Sequence, residues 1–296
     1  MLVRDFVAGL GRAAYACGAL EFDRPFLAPL YTFASVHGLD THQSLPVYVL
    51  LVVQFLHDRL RVRRMYPCAQ LVSHMAEPIR VDAKAEGETA TIGGWLPTRN
   101  DLGVIDLSLS PWFFVALNEQ VAPWAYARDK QPFRVVASLE ALAVLVAVLV
   151  LTDLEPGAAH RGTVYLPLLT DNRGNSFSLS RLMSTKFPLS VVVMELATAL
   201  EDRSLLLNAD WVPREWNAQA DDLTNSRFDG FSPERRRTFD FKDNRFKVFD
   251  DLIIAGSAFH ESANAARLAV KSHGARKGGG GVKRSRQASL KERDPW

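Results

Sequence analysis

The sequence predicts an α/β protein, with a mixed five-stranded sheet flanked by helices and preceded by a helical segment. The period of the apolar residues changes from helical to alternating at Pro78. Three strand-like runs follow in succession, and strands and helices then alternate, giving the order β-β-β-α-β-α-β-α. A meander followed by alternating units implies a sheet with antiparallel and parallel neighbours and helices packed on it.

Residues 1–76 form the helical segment. Apolar residues recur at helical spacing through Phe6, Leu10 and Ala14, and again from Tyr48 to Leu60. Asp23-Arg24-Pro25 and Gly38 with Asp40 are the breaks between them. The sheet region, 77–228, opens with strands over Arg80–Lys84, Thr89–Leu96 and Gly103–Leu117. Gly93-Gly94 marks a bulge or a close backbone approach. A helix follows with Ser138 as its N-cap. Next come a strand at Thr163–Thr170, one or two helices between Ser176 and Leu200, a strand at Leu205–Val212 and a short helix through Ala220. Pro167 stands inside the strand expected at the centre and predicts a local break there. Residues 229–270 are an extension in which Leu252–Val270 forms a further helix, and 271–296 a basic, flexible tail.

Composition narrows the function. Two cysteines, Cys17 and Cys68, exclude a disulfide framework and a zinc cluster, so an intracellular compartment, nucleus or cytoplasm, is expected rather than secretion. Arg4 and Asp5 interrupt the first apolar residues, which argues against a secretion signal. The apolar runs Pro46–Leu56 and Ala141–Leu151 are shorter than the roughly 20 residues of a membrane span. No membrane partner is expected. From Lys271 onward eight Lys or Arg face two acids, a charge of +6, which leaves −4 on the first 270 residues of a chain of net +2. Such a tail either touches nucleic acid, serves as a nuclear address or is simply solvated.

Acidic residues at strand tips are the main chemical signal. Asp82 ends the run Ile79-Arg-Val-Asp82, and Asp171 ends Leu169-Thr-Asp171. Glu140 is the only polar residue from Leu139 to Leu151. Either it is buried and must be paired or metal-bound, or it lies in an exposed first turn. Asp221 follows Trp211-Val-Pro on the last short helix, with Asp222 adjacent and Asp210 nearby. A lone strand-end Asp is more often a turn former than a ligand. Together Asp82, Glu140, Asp171 and Asp221 make a four-carboxylate set of the kind that binds two divalent cations for phosphodiester hydrolysis.

These segments resemble a known family. Trp211-Val-Pro with Asn217-Ala-Gln-Ala-Asp221-Asp-Leu-Thr224 is similar to the closing motif of retroelement ribonuclease H domains. Thr170-Asp171-Asn172, Ser138-Leu-Glu140-Ala and Arg80-Val-Asp82-Ala resemble the motifs of the other three carboxylates, in the same order. Asp23-Arg-Pro-Phe-Leu-Ala-Pro-Leu30 resembles the connection ahead of ribonuclease H in the polyproteins of DIRS/Ngaro-like retrotransposons. The resemblance covers residues 1–228, and the sequence departs from the family's pattern where Arg214-Glu215 occupies a loop in which many relatives place a histidine.

The resemblance implies a ribonuclease H-like fold and an endonuclease that cuts the RNA strand of RNA/DNA hybrids with two Mg²⁺ or Mn²⁺ ions about 4 Å apart. It implies that Asp82 and Asp171 contact both ions, Glu140 the ion on the leaving-group side and Asp221 the one that activates water. Asn172, Arg173, Asn175 and Trp95 are the candidate substrate contacts. A reverse transcriptase palm is the implied protein partner. The alternative is a catalytically decayed or domesticated module that binds nucleic acid or a polymerase without cutting.

Overall fold

The computed structural model describes residues 1–61, 72–152, 163–242 and 246–277. The chain begins with α1 (Val3–Ala16), α2 (Leu27–Val36) and α3 (Val47–Arg61), and the expected break at Asp23-Arg24-Pro25 lies in a 3-10 turn, Glu21–Phe26. One part of the helical segment is instead a strand, β1 (Val72–His74), too short for its period to show in the sequence. Cys17 is a free, buried thiol, and Cys68 lies outside the described residues.

β2 (Ile79–Glu86), β3 (Thr89–Trp95) and β4 (Trp112–Leu117) form the expected antiparallel meander. Gly87, at φ 58°, makes the two-residue turn from β2 to β3. The third strand starts at Trp112, later than the expected Gly103. Side chains upstream turn the backbone instead: Asn100 Oδ1 accepts from the N–H groups of Leu102 and Val104, and Asp106 Oδ1 from that of Ser108.

Two parallel strands complete the sheet, β5 (Thr163–Thr170) and β6 (Leu205–Trp211). β6 occupies one edge of β5 from Val164 to Thr170. β1 and β2 share the other edge, at Thr163–Tyr165 and at Leu168–Leu169. They therefore lie in line, and six strands make a sheet five strands wide. Pro167 falls between them. Among the described residues, Leu166 and Pro167 have no partner on that edge, while Pro167 keeps its register with Asn208 on the other. The missing N–H is thus placed beside a gap in the ladder. This mixed sheet, order β4-β3-β2-β5-β6, is the ribonuclease H-like arrangement expected from the sequence.

The helices are α4 (Pro123–Tyr126), α5 (Val136–Leu151), α6 (Arg173–Ser180), α7 (Leu189–Asp202), α8 (Ala218–Thr224) and α9 (Phe249–Lys277). α5 starts earlier than expected, because a 3-10 turn beginning at Pro132 leads into it; Ser138 is a buried first-turn residue and Val135 the N-cap. With that turn, Pro132–Leu151 is long and apolar enough to cross a membrane by length and composition, but 67% of it is buried inside the fold, against α7, β2 and β3. α9 continues through Lys277 into the segment expected as a tail, whose remainder, 278–296, lies outside the described residues.

One core joins the N-terminal helices, the sheet, α5, α7 and α9, and a second, smaller cluster lies under α8. Phe26, Phe33 and Val52 from the first helices, Val81 and Ile92 from the sheet, the length of α5 and α7, and Leu252 and Phe259 of α9 belong to the first. α9 is fixed at its start by α7: the buried Glu195 carboxylate accepts from the N–H groups of Lys247, Val248 and Phe249 at 2.8–3.0 Å. Arg59 of α3 lies buried beside the stacked rings of Phe26 and Phe55, its guanidinium paired with Asp23 and with Glu201 of α7. Removing one member of a buried ion pair leaves the others uncompensated. Arg59→Ala is expected to cost on the order of 3 kcal/mol in urea unfolding, whereas the exposed pair Arg4–Asp40 is expected to cost little when broken.

Candidate active site

Strand alternation builds the floor of the site. Along β2, Val81 and Ala83 enter the main core, so Arg80, Asp82 and Lys84 point to the opposite face. α8 covers that face. Asn217 Nδ2 donates to the Val81 carbonyl at 2.9 Å, Thr91 Oγ1 to the Thr224 carbonyl at 2.8 Å, and Lys84 Nζ to Asn225 Oδ1 at 3.0 Å. Arg80 donates to the Trp216 carbonyl. The approach is close because β3 carries glycine: a Cβ on Gly93 would stand 3.1 Å from Leu223 Cβ, and one on Gly94 2.8 Å from the Phe113 ring. Both glycines keep a regular register with Asp82 and Val81, so they mark close approach and not a bulge.

The four carboxylates arrive on four different elements: Asp82 on β2, Glu140 on α5, Asp171 just beyond β5 and Asp221 on α8. Thr224 Oγ1, one turn on from Asp221, donates to Asp82 Oδ2 at 2.7 Å. Glu140 is buried, which resolves the choice left by the sequence; Asn175 Nδ2 donates to its Oε2 at 2.9 Å and to the Ala137 carbonyl at 2.8 Å. Trp211, at the end of β6, donates its indole N–H to the Asp171 carbonyl at 2.9 Å and so fixes the backbone that carries this carboxylate. Asp221 receives the Arg214 guanidinium on Oδ1 and Asn225 Nδ2 on Oδ2 at 3.0 Å. Asp222 pairs with Arg227, and Asp210 is exposed beside Asn208, so neither competes for the site.

Mutual repulsion marks the cluster. Burial, and then the charges of Asp171 and Asp221, push the Asp82 carboxyl above its ordinary range in spite of the Thr224 hydroxyl. Glu140 is pushed up to about 7, chiefly by burial and then by Asp171 and Asp82, against hydrogen bonds from Asn172 and Asn175. Among the described residues, no three carboxylate, imidazole or thiolate side chains stand close enough together to hold a metal ion as they are. Asp82, Glu140 and Asp221 each meet a neutral or positive donor instead. The donor set nevertheless fits Mg²⁺ or Mn²⁺: it is all carboxylate oxygen, it is partly buried, and arginine already supplies positive charge at Asp221.

The expected substrate contacts divide. Arg173 is exposed at the first turn of α6, beside Asp171, where it can meet a ligand. Asn172 is half-buried and caps α6, its Oδ1 accepting from the N–H groups of Gly174 and Asn175. Asn175 is buried against Glu140 and positions that carboxylate rather than touching substrate. Trp95 is a correction: it is 2% exposed and packs with Trp112, Phe231 and Leu223 behind α8. A tryptophan at a strand end gives no sign of the aromatic cluster behind it, because Phe228 and Phe231 come from an aperiodic segment more than a hundred residues later. The residues that sequence reasoning missed are Thr224, Asn225 and Arg214. The first two follow Asp221 at i+3 and i+4 on one helix face, a spacing that can identify them.

No protein-family model and no curated protein matches this sequence. Solved structures are similar over about half of this chain, among them three ribonuclease H domains. Ribonuclease H1 from Halobacterium salinarum NRC-1 is 19% identical, over 54% of this chain and 98% of that one, with a TM-score of 0.32. The N-terminal ribonuclease H domain of a Mycobacterium tuberculosis protein, solved as a fusion with maltose-binding protein, is 17% identical over 54% and 95%, with a TM-score of 0.29. A ribonuclease H1 isolated from compost by a metagenomic approach is 18% identical over 52% and 97%, with a TM-score of 0.28.

The raised Glu140 carboxyl sets a pH dependence. The folded form holds the Glu140 proton more tightly than the unfolded chain, so this contribution is present below about pH 4.5 and is lost as pH rises through about 7. Without added metal, Glu140→Gln is expected to unfold at higher urea than wild type at pH 8, by on the order of 2 kcal/mol, and with no such advantage at pH 4.

Proposed function

We propose that this protein is a metal-dependent endonuclease that cleaves the RNA strand of RNA/DNA hybrids, as the ribonuclease H part of a retroelement reverse transcriptase. The convergence of Asp82, Glu140, Asp171 and Asp221 from four separate elements carries the reading. Burying carboxylates together is costly, and a bound divalent cation would offset that cost. The sequence motifs around these residues support the same reading, and so does the mixed sheet that brings them together.

Asp82, Glu140, Asp171 and Asp221 would hold the cations, which when bound activate a water and stabilise the charge developing on the scissile phosphate. The chain's own residues prepare that chemistry. Thr224 and Asn175 orient Asp82 and Glu140. Trp211 fixes the Asp171 backbone, and Arg173 supplies a cation at the edge of the site for a substrate phosphate. RNA would be told from DNA by its 2′-hydroxyls across the minor groove. The polymerase palm of a reverse transcriptase is the partner this reading implies. α3 leaves Val47, Leu50, Val53 and Leu60 exposed, an apolar strip compatible with such a neighbour.

With a labelled RNA/DNA hybrid and Mg²⁺ or Mn²⁺, wild type is expected to cut the RNA strand and leave a 3′-hydroxyl and a 5′-phosphate. Asp171→Asn is expected to fold normally and not to cut. A well-folded wild type that binds the hybrid but leaves it intact would replace this reading with the decayed, binding-only one.

A further inference from the structure

Asp221 differs from Asp82 and Glu140 in its partners. Asp82 and Glu140 take hydrogen bonds from a neutral hydroxyl and from neutral amides. Asp221 is held by positive charge, with Arg214 on Oδ1 and Arg227 3.6 Å from Oδ2. Arg227 is committed mainly to Asp222, which it meets at 2.5 Å. Arg214 has Asp221 as its acidic partner among the described residues, and it reaches down from the Arg214–Trp216 turn that follows β6. Its side chain is 75% exposed and that of Asp221 only 22%, so the guanidinium lies over the carboxylate on the solvent side. It also lies within the field of Asp82 and Asp171.

A guanidinium does not lose its proton in a protein, so it leaves a carboxylate only by moving. The turn that carries it is short and its side chain is solvated, so movement is cheap. We propose that Arg214 is a built-in counter-ion which competes with a divalent cation for Asp221 and is displaced when the cation takes that carboxylate. This rests on the metal-dependent reading above. Displaced, the Arg214 fork stands at the mouth of the cluster, in position for a substrate phosphate oxygen. The residue thereby links occupation of Asp221 to the presence of a positive group for the substrate.

The test is direct binding of Mn²⁺ to the full-length protein, followed by electron paramagnetic resonance of the free ion without nucleic acid. An exposed ion pair is weak, so Arg214→Ala is expected to bind Mn²⁺ about three- to tenfold more tightly than wild type, with Arg214→Lys between the two. The gain should vanish in the background of Asp221→Asn, because the contested carboxylate is then gone. A purely structural role for Arg214 would instead lower the unfolding temperature and leave Mn²⁺ affinity unchanged or weaker, which overturns the proposal. Absence of Mn²⁺ binding in both wild type and Arg214→Ala would overturn the metal-dependent reading itself, and this proposal with it.

Discussion

Carboxylates gathered at one end of a sheet repel one another, and the surroundings of the site are organised by how each is stabilised. Asp82 has a threonine, Glu140 two asparagines and Asp221 an arginine. None of these donors comes from the element that carries its carboxylate in the first two cases; they come from α8 and from the start of α6. The site is therefore also a set of cross-links between elements. α8 cannot shift without dragging the partner of Asp82, and α6 cannot shift without uncovering Glu140.

The absence of side chains matters as much as their presence. Gly94 lets the Phe113 ring approach β3 closer than a Cβ permits, and at Gly93 a Cβ would crowd Leu223 of α8 at 3.1 Å. Asn217, buried and bonded to the Val81 carbonyl, fixes the start of the same helix. Behind α8, Trp95 and Trp112 are closed off by Phe228 and Phe231, and the Trp112 indole donates to the Ser232 carbonyl at 2.8 Å. The segment after α8 thus locks that helix from outside while Gly93 admits it from within.

The sheet was legible because its signals are local. Alternation from Arg80, the Gly87 turn and the β-rich run at Thr163–Thr170 each lie within a few residues. Asp171 stood out as an acid at a strand tip and Glu140 as the one polar residue of an apolar run, whereas Asp82 lies in the middle of β2 and not at the strand end its apolar run suggested. β1 was hidden by its length, and the late start of β4 by Asx turns that compete with the ladder. The partners of the carboxylates were harder, since Asn175 meets Glu140 across 35 positions and Thr224 meets Asp82 across 142. Trp95 illustrates the remaining ambiguity: an aromatic at a strand end is equally suited to a ligand face or a core, and only the fold decides which side is covered.

The Arg59 pocket bears on where the molecule can be divided. A ribonuclease H-like sheet with its flanking helices suggests a self-contained unit that starts near β1. Yet α7, the helix that backs that sheet, is buried along nearly its whole length, partly beneath the turn at Glu21–Phe26 and α9. A piece of chain starting at Val72 would leave Glu201 without Arg59 and part of an apolar helix open to water. The smallest cooperative unit is therefore larger than the sheet and the helices that carry its carboxylates. The N-terminal helices form one wall of that unit.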